Sequence, residues 1–189
     1  MTPFITDQTF KGKTYTSNRL PRGEYENCIF EGCDFSNGLL DNQNFMECEF
    51  IDCNLSNCNV KHTTFKEIDF SHCKMIGLRF DECNDFLMDF CFFDCILDYS
   101  SFYGLTLKKQ QFVDCKLIEV DFTETELIEA SFEKCILNDA IFDRTNLQNA
   151  DFTTAQNFMI DPEKNRITKA RFSKDGLAGL LRKFDIVIV

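Results

Sequence analysis

Tryptophan is absent from this chain of 189 residues, histidine occurs twice, and eleven cysteines include no Cys-x-x-Cys pair. Two histidines and no glycine-rich phosphate loop leave little from which to assemble a catalytic site. The missing Cys-x-x-Cys spacing argues against a structural zinc site, and free cysteine behaves as a small buried hydrophobe. Basic residues are the minority, 20 against 31 acids, for a formal charge of −11. That sign opposes direct binding to nucleic acid. Met1 to Asp7 contains neither a basic region nor an apolar leader segment, and no apolar stretch approaches transmembrane length. A protein of the cytoplasm, off the membrane and with reduced cysteines, is the expectation.

What is present is a beat of five. Phe10, Tyr15, Leu20, Tyr25, Phe30, Phe35, Leu40, Phe45, Phe50, Leu55, Val60, Phe65, Phe70, Met75 and Phe80 fall five apart. The beat resumes two residues out of phase at Phe92 and continues through Leu97, Phe102, Leu107, Phe112, Leu117, Phe122, Leu127, Phe132, Leu137, Phe142 and Leu147 to Phe152. Chance would produce this run with a probability of roughly 10⁻¹⁰, so the chain is a repeat architecture. Period five is neither the two of a strand nor the 3.6 of a helix. It suits a short extended step, a corner, and another step. The residue two before each beat is usually small: Cys28, Cys33, Cys48, Cys53, Cys58, Cys73, Cys95, Cys115, Ala130, Cys135, Ala140, Ala150. Two apart on an extended segment means the same side, so both residues point inward and the other three face water.

Phe and Leu alternate strictly in the second half, and Cys95, Cys115 and Cys135 recur at twenty. Four sides per coil stack like on like; three would stack Phe on Leu. One column then reads Phe10, Phe30, Phe50, Phe70, Phe92, Phe112, Phe132, Phe152. His62 and His72, ten apart, fall on opposite faces and share neither a metal nor a dyad. The uniform large slot also accounts for 22 phenylalanines beside no tryptophan. Stacked cysteines leave oxidation conceivable.

The pattern from Cys28 to Asn37, and Ala150-Asp151-Phe152, resembles the pentapeptide-repeat family over about residues 10–155. The resemblance implies an all-β fold, a right-handed quadrilateral parallel β-helix over 1–172. A register shift is expected within 81–91, read either as a corner bulge or as a small loop touching a partner. A looser last coil is expected over 153–172.

Residues 173–189 read as a separate unit, a short helix and a strand. Ser173 can cap the helix, Asp175 suits its first turn, and Leu177, Leu180, Leu181 and Phe184 form one stripe. Asp185 to Val189 reads as a strand. The unit serves as an end cap, as a two-fold dimer contact, or as both. Phe172 to Val189 is similar to the C-terminal module of Qnr-type quinolone-resistance proteins. That similarity implies a homodimer joined through Leu177, Leu180, Leu181, Phe184, Ile186 and Ile188. It further implies an acidic mimic of duplex DNA that engages DNA gyrase and topoisomerase IV and protects them from quinolones.

Charge concentrates in the middle: residues 81–155 carry 16 acids and 5 bases. Asp94, Asp98, Asp114, Glu119, Asp121, Glu124, Glu126, Glu129, Asp139 and Asp143 are the expected partner-binding acids. Their plain alternative is a solvated face that keeps a rod soluble. No catalytic residue, cofactor or metal is expected, nor any small-molecule substrate. The other reading of the whole chain is a scaffold rod that binds a different protein through Ile51, Phe93, Val113, Ile118 and Ile128.

Overall fold

The computed structural model describes residues 3–187. Strands Thr9–Lys11, Ile29–Glu31, Glu49–Ile51, Ile68–Ser71, Phe90–Phe93, Gln111–Val113, Ser131–Glu133, Asp151–Phe152 and Arg171–Phe172 pair in parallel, in that order, as one nine-stranded sheet. A second face pairs Phe4–Thr6, Glu24–Glu26, Asn44–Met46 and Thr64–Lys66 in the same sense. The remaining sides are tied by single bridges twenty residues apart, such as Asp34 with Asn54 and Ser101 with Asp121. The result is a four-sided parallel β-helix of about eight turns.

The five-residue beat has a backbone cause. Nearly every residue two past a beat residue is left-handed, including Asn37, His62, Glu119, Lys134 and Arg144, with φ between 51° and 58°. Asparagine and aspartate tolerate that region; for bulkier residues it is uncommon. The bends are held because backbone groups pair with the coil above and below, as when Asn37 N–H donates to the Ser56 carbonyl at 2.9 Å. A strand therefore ends after two to four residues and a corner follows.

Inside, nine phenylalanines from Phe10 to Phe172 form a continuous stack. Successive ring centroids are 4.6–5.4 Å apart and near parallel. Phe80, Phe102, Phe122 and Phe142 build a second stack on the third side. Rings of adjacent sides meet edge to face, as Phe112 meets Phe122 at 5.9 Å and 77°. Stacked and edge-to-face geometries are both favoured by the ring quadrupole.

The small inward slot is more polar than the sequence pattern suggested. Cys53 Sγ donates to the Phe30 carbonyl at 3.2 Å, and Cys73 Sγ to the Phe50 carbonyl at 3.2 Å. On the fourth side Thr63, Thr125 and Thr145, all fully buried, donate to the carbonyls of Leu40, Phe102 and Phe122 at 2.7–2.9 Å. Each threonine bond is a second one for the carbonyl of a beat residue in the preceding coil, which also accepts a backbone N–H, as Phe102 does from Leu105 at 3.1 Å. Gln43 Nε2 donates to the Leu20 and Pro21 carbonyls, and its Oε1 accepts the Gly23 N–H.

The register shift falls between Asn84 and Asp89. Asn84 still bridges Thr64 at a spacing of twenty, whereas Ile68 already pairs with Phe90 at twenty-two. Phe86 and Leu87 are thrown outward, 71% and 58% exposed, and Leu87 is left-handed at φ 60°. The first register persists as far as Cys83, which is buried. Phe90 and Phe92 are both buried, and both pair at a spacing of twenty-two, so the second register holds them both.

The last coil keeps bridges on two sides, Ile136 with Gln156 and Asn146 with Arg166, and strand Arg171–Phe172 on a third. Where the beat fails at Asn157 and Pro162, Phe158 and Ile160 turn in and are buried instead. Beyond it, Ser173 Oγ accepts the Gly176 N–H at 3.0 Å and starts a 3₁₀ turn, Asp175–Leu177. One α-helical turn, Ala178–Leu181 (α1), and a 3₁₀ turn, Arg182–Phe184, follow. A Cβ at Gly179 would run into the Phe158 carbonyl, so glycine lets the helix close on the coil, where Ile160 N–H donates to the Gly179 carbonyl at 3.1 Å. Asp185, left-handed, ends the turn, and residues 185–187 lie in no strand. A strand needs a partner edge, and among the described residues no strand pairs with them. Ile188 and the end of that expected strand lie outside the described residues.

Candidate interaction surface

Outward side chains form columns that climb the rod one coil at a time. The ten acids named from the sequence do not share one face. Asp94 and Asp114 occupy the left-handed corner between the first and second sides. Glu119 and Asp139 occupy the next corner, with Asp98 beside them accepting the Ile118 N–H at 3.0 Å. Asp121 and Asp143 lie on the third side, and Glu124 at the corner that follows. Glu126 lies on the fourth side, and Glu129 at the corner after it. Together they make an acidic collar around the girth.

The collar is unevenly compensated. Arg144 pairs with Glu124 at 2.8 Å and with Asp143 at 2.6 Å, and Tyr103 donates to Glu124 at 3.0 Å. The Arg144 and Tyr103 hydrogen bonds hold the Glu124 carboxyl below the usual carboxylate range. Lys134 reaches Asp114 at 3.8 Å and Lys109 reaches Glu129 at 3.9 Å. Asp98, Glu119, Asp121 and Asp139 have no ion-pair partner among the described residues, and the four are neighbours around the second corner. His72 lies between Asp52 and Asp94 on successive coils, at 3.8 and 3.9 Å.

Apolar groups cluster at the surface in two further places. The Phe86–Leu87 knuckle is one. The other is the C-terminal unit, where Leu177, Leu181, Phe184, Ile186 and Val187 are exposed and Leu180 packs partly against the core. Lys183 fastens this unit to the last coil through Asp161 and Glu163, both at 2.7 Å. Those bonds push the lysine up from its ordinary value and the Asp161 carboxyl down. A cavity of about 890 Å³ lies beside α1 and is lined by Asp139, Ala155, Phe158, Leu181 and Ile186. Of the apolar residues singled out for a scaffold, Phe93 and Val113 line a shallow groove on the first side, where Phe93 is 47% exposed. Ile118 lies on the second side and Ile128 on the fourth.

The spacing places Thr63, Thr125 and Thr145 in the inward slot, but sequence reasoning did not anticipate that their hydroxyls bond backbone carbonyls of the preceding coil. Among the described residues no three His, Cys, Asp or Glu side chains gather about one point to hold an ion. No helix among them is long and apolar enough to cross a membrane.

Eight copies of the pentapeptide repeat match this chain, over residues 28–66, 48–84 and 115–153. No curated protein sequence matches it. In shape it is similar to full-length QnrB1, a plasmid-mediated fluoroquinolone resistance protein, with a TM-score of 0.64 at 16% identity over 97% of this chain and 100% of that one. A trypsin-treated variant of QnrB1 gives the same TM-score and identity over 98% and 100%. HetL, a pentapeptide-repeat protein involved in heterocyst differentiation in the cyanobacterium Nostoc, is more distant, with a TM-score of 0.43 at 12% identity over 91% and 88%. At these identities the likeness is one of fold. Periodic core, left-handed corners and matched repeats agree, and the chain belongs to the pentapeptide-repeat family.

Proposed function

We propose that this protein is a non-catalytic, protein-binding rod. It works as a homodimer joined through its C-terminal unit and presents its collar to DNA gyrase or topoisomerase IV in place of DNA. The observation that carries this reading is charge density. Residues 81–155 hold 16 acids and 5 bases. They span just under four coils, roughly 18 Å at about 4.8 Å per coil. That is one net negative charge per roughly 1.6 Å of axis, against one per about 1.7 Å for duplex DNA. Asp98, Glu119, Asp121 and Asp139, lacking cations of their own, are the collar's part best suited to a basic surface. The exposed C-terminal apolar residues supply a self-complementary patch, and a two-fold dimer doubles the length of the rod.

The test is a supercoiling assay with gyrase, with and without a quinolone, in excess purified protein. Altered supercoiling or relief of quinolone inhibition is expected, weakening as salt is raised. No effect on either activity sinks the reading. A second reading has one observation in its favour, the half-apolar strip of Phe93 and Val113 on the first side. There the protein is a scaffold for another protein, and Phe93→Ser, with the collar intact, abolishes partner capture.

A further inference from the structure

Two tyrosines stand exposed inside the acidic collar, at the second corner and on the third side of one coil. Tyr99 is 57% exposed and Tyr103 45%. Coil pairing sets them among the acids. Tyr99, Glu119 and Asp139 are the left-handed residues of one corner on three successive coils. On the third side Ser101 bridges Asp121, and Asp121 bridges Ile141. Ser101 is midway between the two tyrosines, so Asp121 lies one coil, about 4.8 Å, from the centre of that pair.

The fold does not call for either ring. The corner of Tyr99 is left-handed at φ 62°, and the same corner on other coils is held by Asn37, Asn57, Gly77, Glu119 and Asp139. A bulky aromatic residue is uncommon in that conformation, and an exposed one gains little burial in return. Tyr103 donates its hydroxyl to Glu124 at 3.0 Å, which fixes the ring while nearly half of the residue stays open to solvent. Asp121 is fixed too. One of its oxygens accepts the Thr123 N–H at 2.9 Å, and the other has no partner among the described residues.

Charge complementarity names the occupant. Asp98, Glu119, Asp121 and Asp139 have no ion-pair partner among the described residues, so this face suits a cation. A carboxylate alone accepts lysine and arginine alike. A carboxylate beside an open aromatic ring favours arginine, whose planar guanidinium stacks on the ring while its N–H groups bond the carboxylate. Lysine offers a compact, strongly hydrated point charge instead.

We infer that the face around Tyr99, Tyr103 and Asp121 docks an arginine-bearing segment of a partner protein, its guanidinium groups stacked on the two rings and paired with Glu119 and Asp121. The inference rests on the protein-binding reading above and needs neither gyrase nor a dimer.

Fluorescence anisotropy of two end-labelled peptides of equal length and charge, one built on arginine and one on lysine, tests this with the full chain. The arginine peptide is expected to bind more tightly. Tyr99→Ala with Tyr103→Ala should weaken it by about five- to thirtyfold and leave the lysine peptide within about twofold. Tyr99→Phe with Tyr103→Phe keeps both rings and should keep the preference. Both side chains are exposed, so sheet content by circular dichroism should be the same in all three proteins. Equal affinity for the two peptides, an arginine preference that survives loss of both rings, or binding of neither peptide overturns the proposal. So does a mass by light scattering that falls in the alanine variant, which assigns the face to a second copy of this chain. Arginine preference in a protein that leaves gyrase unaffected supports the inference even as the gyrase reading falls.

Discussion

Phe90 and Phe92, two residues apart on one strand, both turn into the core with ring centroids 5.0 Å apart. In every other coil the position of Phe90 is held by a smaller or thinner side chain, such as Cys48, Ile68, Gln110 or Ala130. The exception lies beside the knuckle that throws Phe86 and Leu87 outward and leaves no large residue on the fourth side between Phe65 and Leu107. The Phe90 ring fills that space, 5.3 Å from Phe80 and 6.4 Å from Phe102. Phe90→Ala should therefore lower stability by about 3–5 kcal/mol, the cost of an unfilled aromatic site. Denaturant unfolding measures it, and a loss below about 1 kcal/mol would mean the knuckle can fold in to replace the ring.

Thr125 is an inward polar residue whose hydroxyl serves the Phe102 carbonyl at 2.9 Å. Thr125→Val keeps the shape and removes the donor. The Phe102 carbonyl keeps the Leu105 N–H at 3.1 Å, so stability should fall by roughly 0.5–1.5 kcal/mol, the net worth of one hydrogen bond. A loss well above that range in thermal unfolding would show that the backbone bond does not hold the carbonyl once the hydroxyl is gone.

The anchoring of the C-terminal unit should depend on pH at both extremes. Asp161 is held below its ordinary 3.8 by Lys183 and by the Glu163 N–H, so its contribution is full above 3.8 and lost as pH falls through the lower folded value. Lys183 is raised above its ordinary 10.5 by Asp161 and Glu163, so its contribution is full below 10.5 and lost as pH climbs through the higher folded value. Both are exposed, so salt should weaken them. Limited proteolysis of residues 173–187 across pH reads this out; cleavage rates that stay flat below pH 3.8 would contradict it.

If the exposed face of the C-terminal unit joins two copies, Leu181→Asp with Phe184→Asp should halve the mass seen by light scattering, from twice 22.0 kDa to 22.0 kDa. The sheet signal should not change, because neither side chain belongs to the core. A wild-type protein at 22.0 kDa at working concentration would remove the dimer from the proposal.

Neutralising the uncompensated acids tests the collar separately. Glu119→Gln with Asp139→Asn should weaken any complex with a basic partner and flatten its salt dependence. Asp143→Asn, whose carboxylate already serves Arg144, should do less. Equal effects would assign the binding to overall charge rather than to this corner.

Period five, four sides and the inward pair were legible because each slot of a repeat sees the same surroundings, so one residue type recurs in it. Phe30, Phe50 and Phe70 announce their column for that reason. The knuckle was legible only as an interval, since Phe90 and Phe92 each satisfy one register and only the pairing of Ile68 with Phe90 decides between them. Thr125, two before Leu127, falls in the inward slot by the same rule, but its partner, the Phe102 carbonyl, is a backbone group that no side-chain pattern reveals.

By itself the sequence determined the rod: a large and a small inward residue at a fixed interval leave the backbone one way to bury both. The tertiary structure decided what lies beside what. Coiling sets residues twenty apart in contact, and that turned scattered acids into a collar and separate cysteines into a column. Which acid keeps a cation, such as Glu124 beneath Arg144, and which does not, such as Asp139, depends on neighbours a whole coil away, where charges meet through space rather than along the chain.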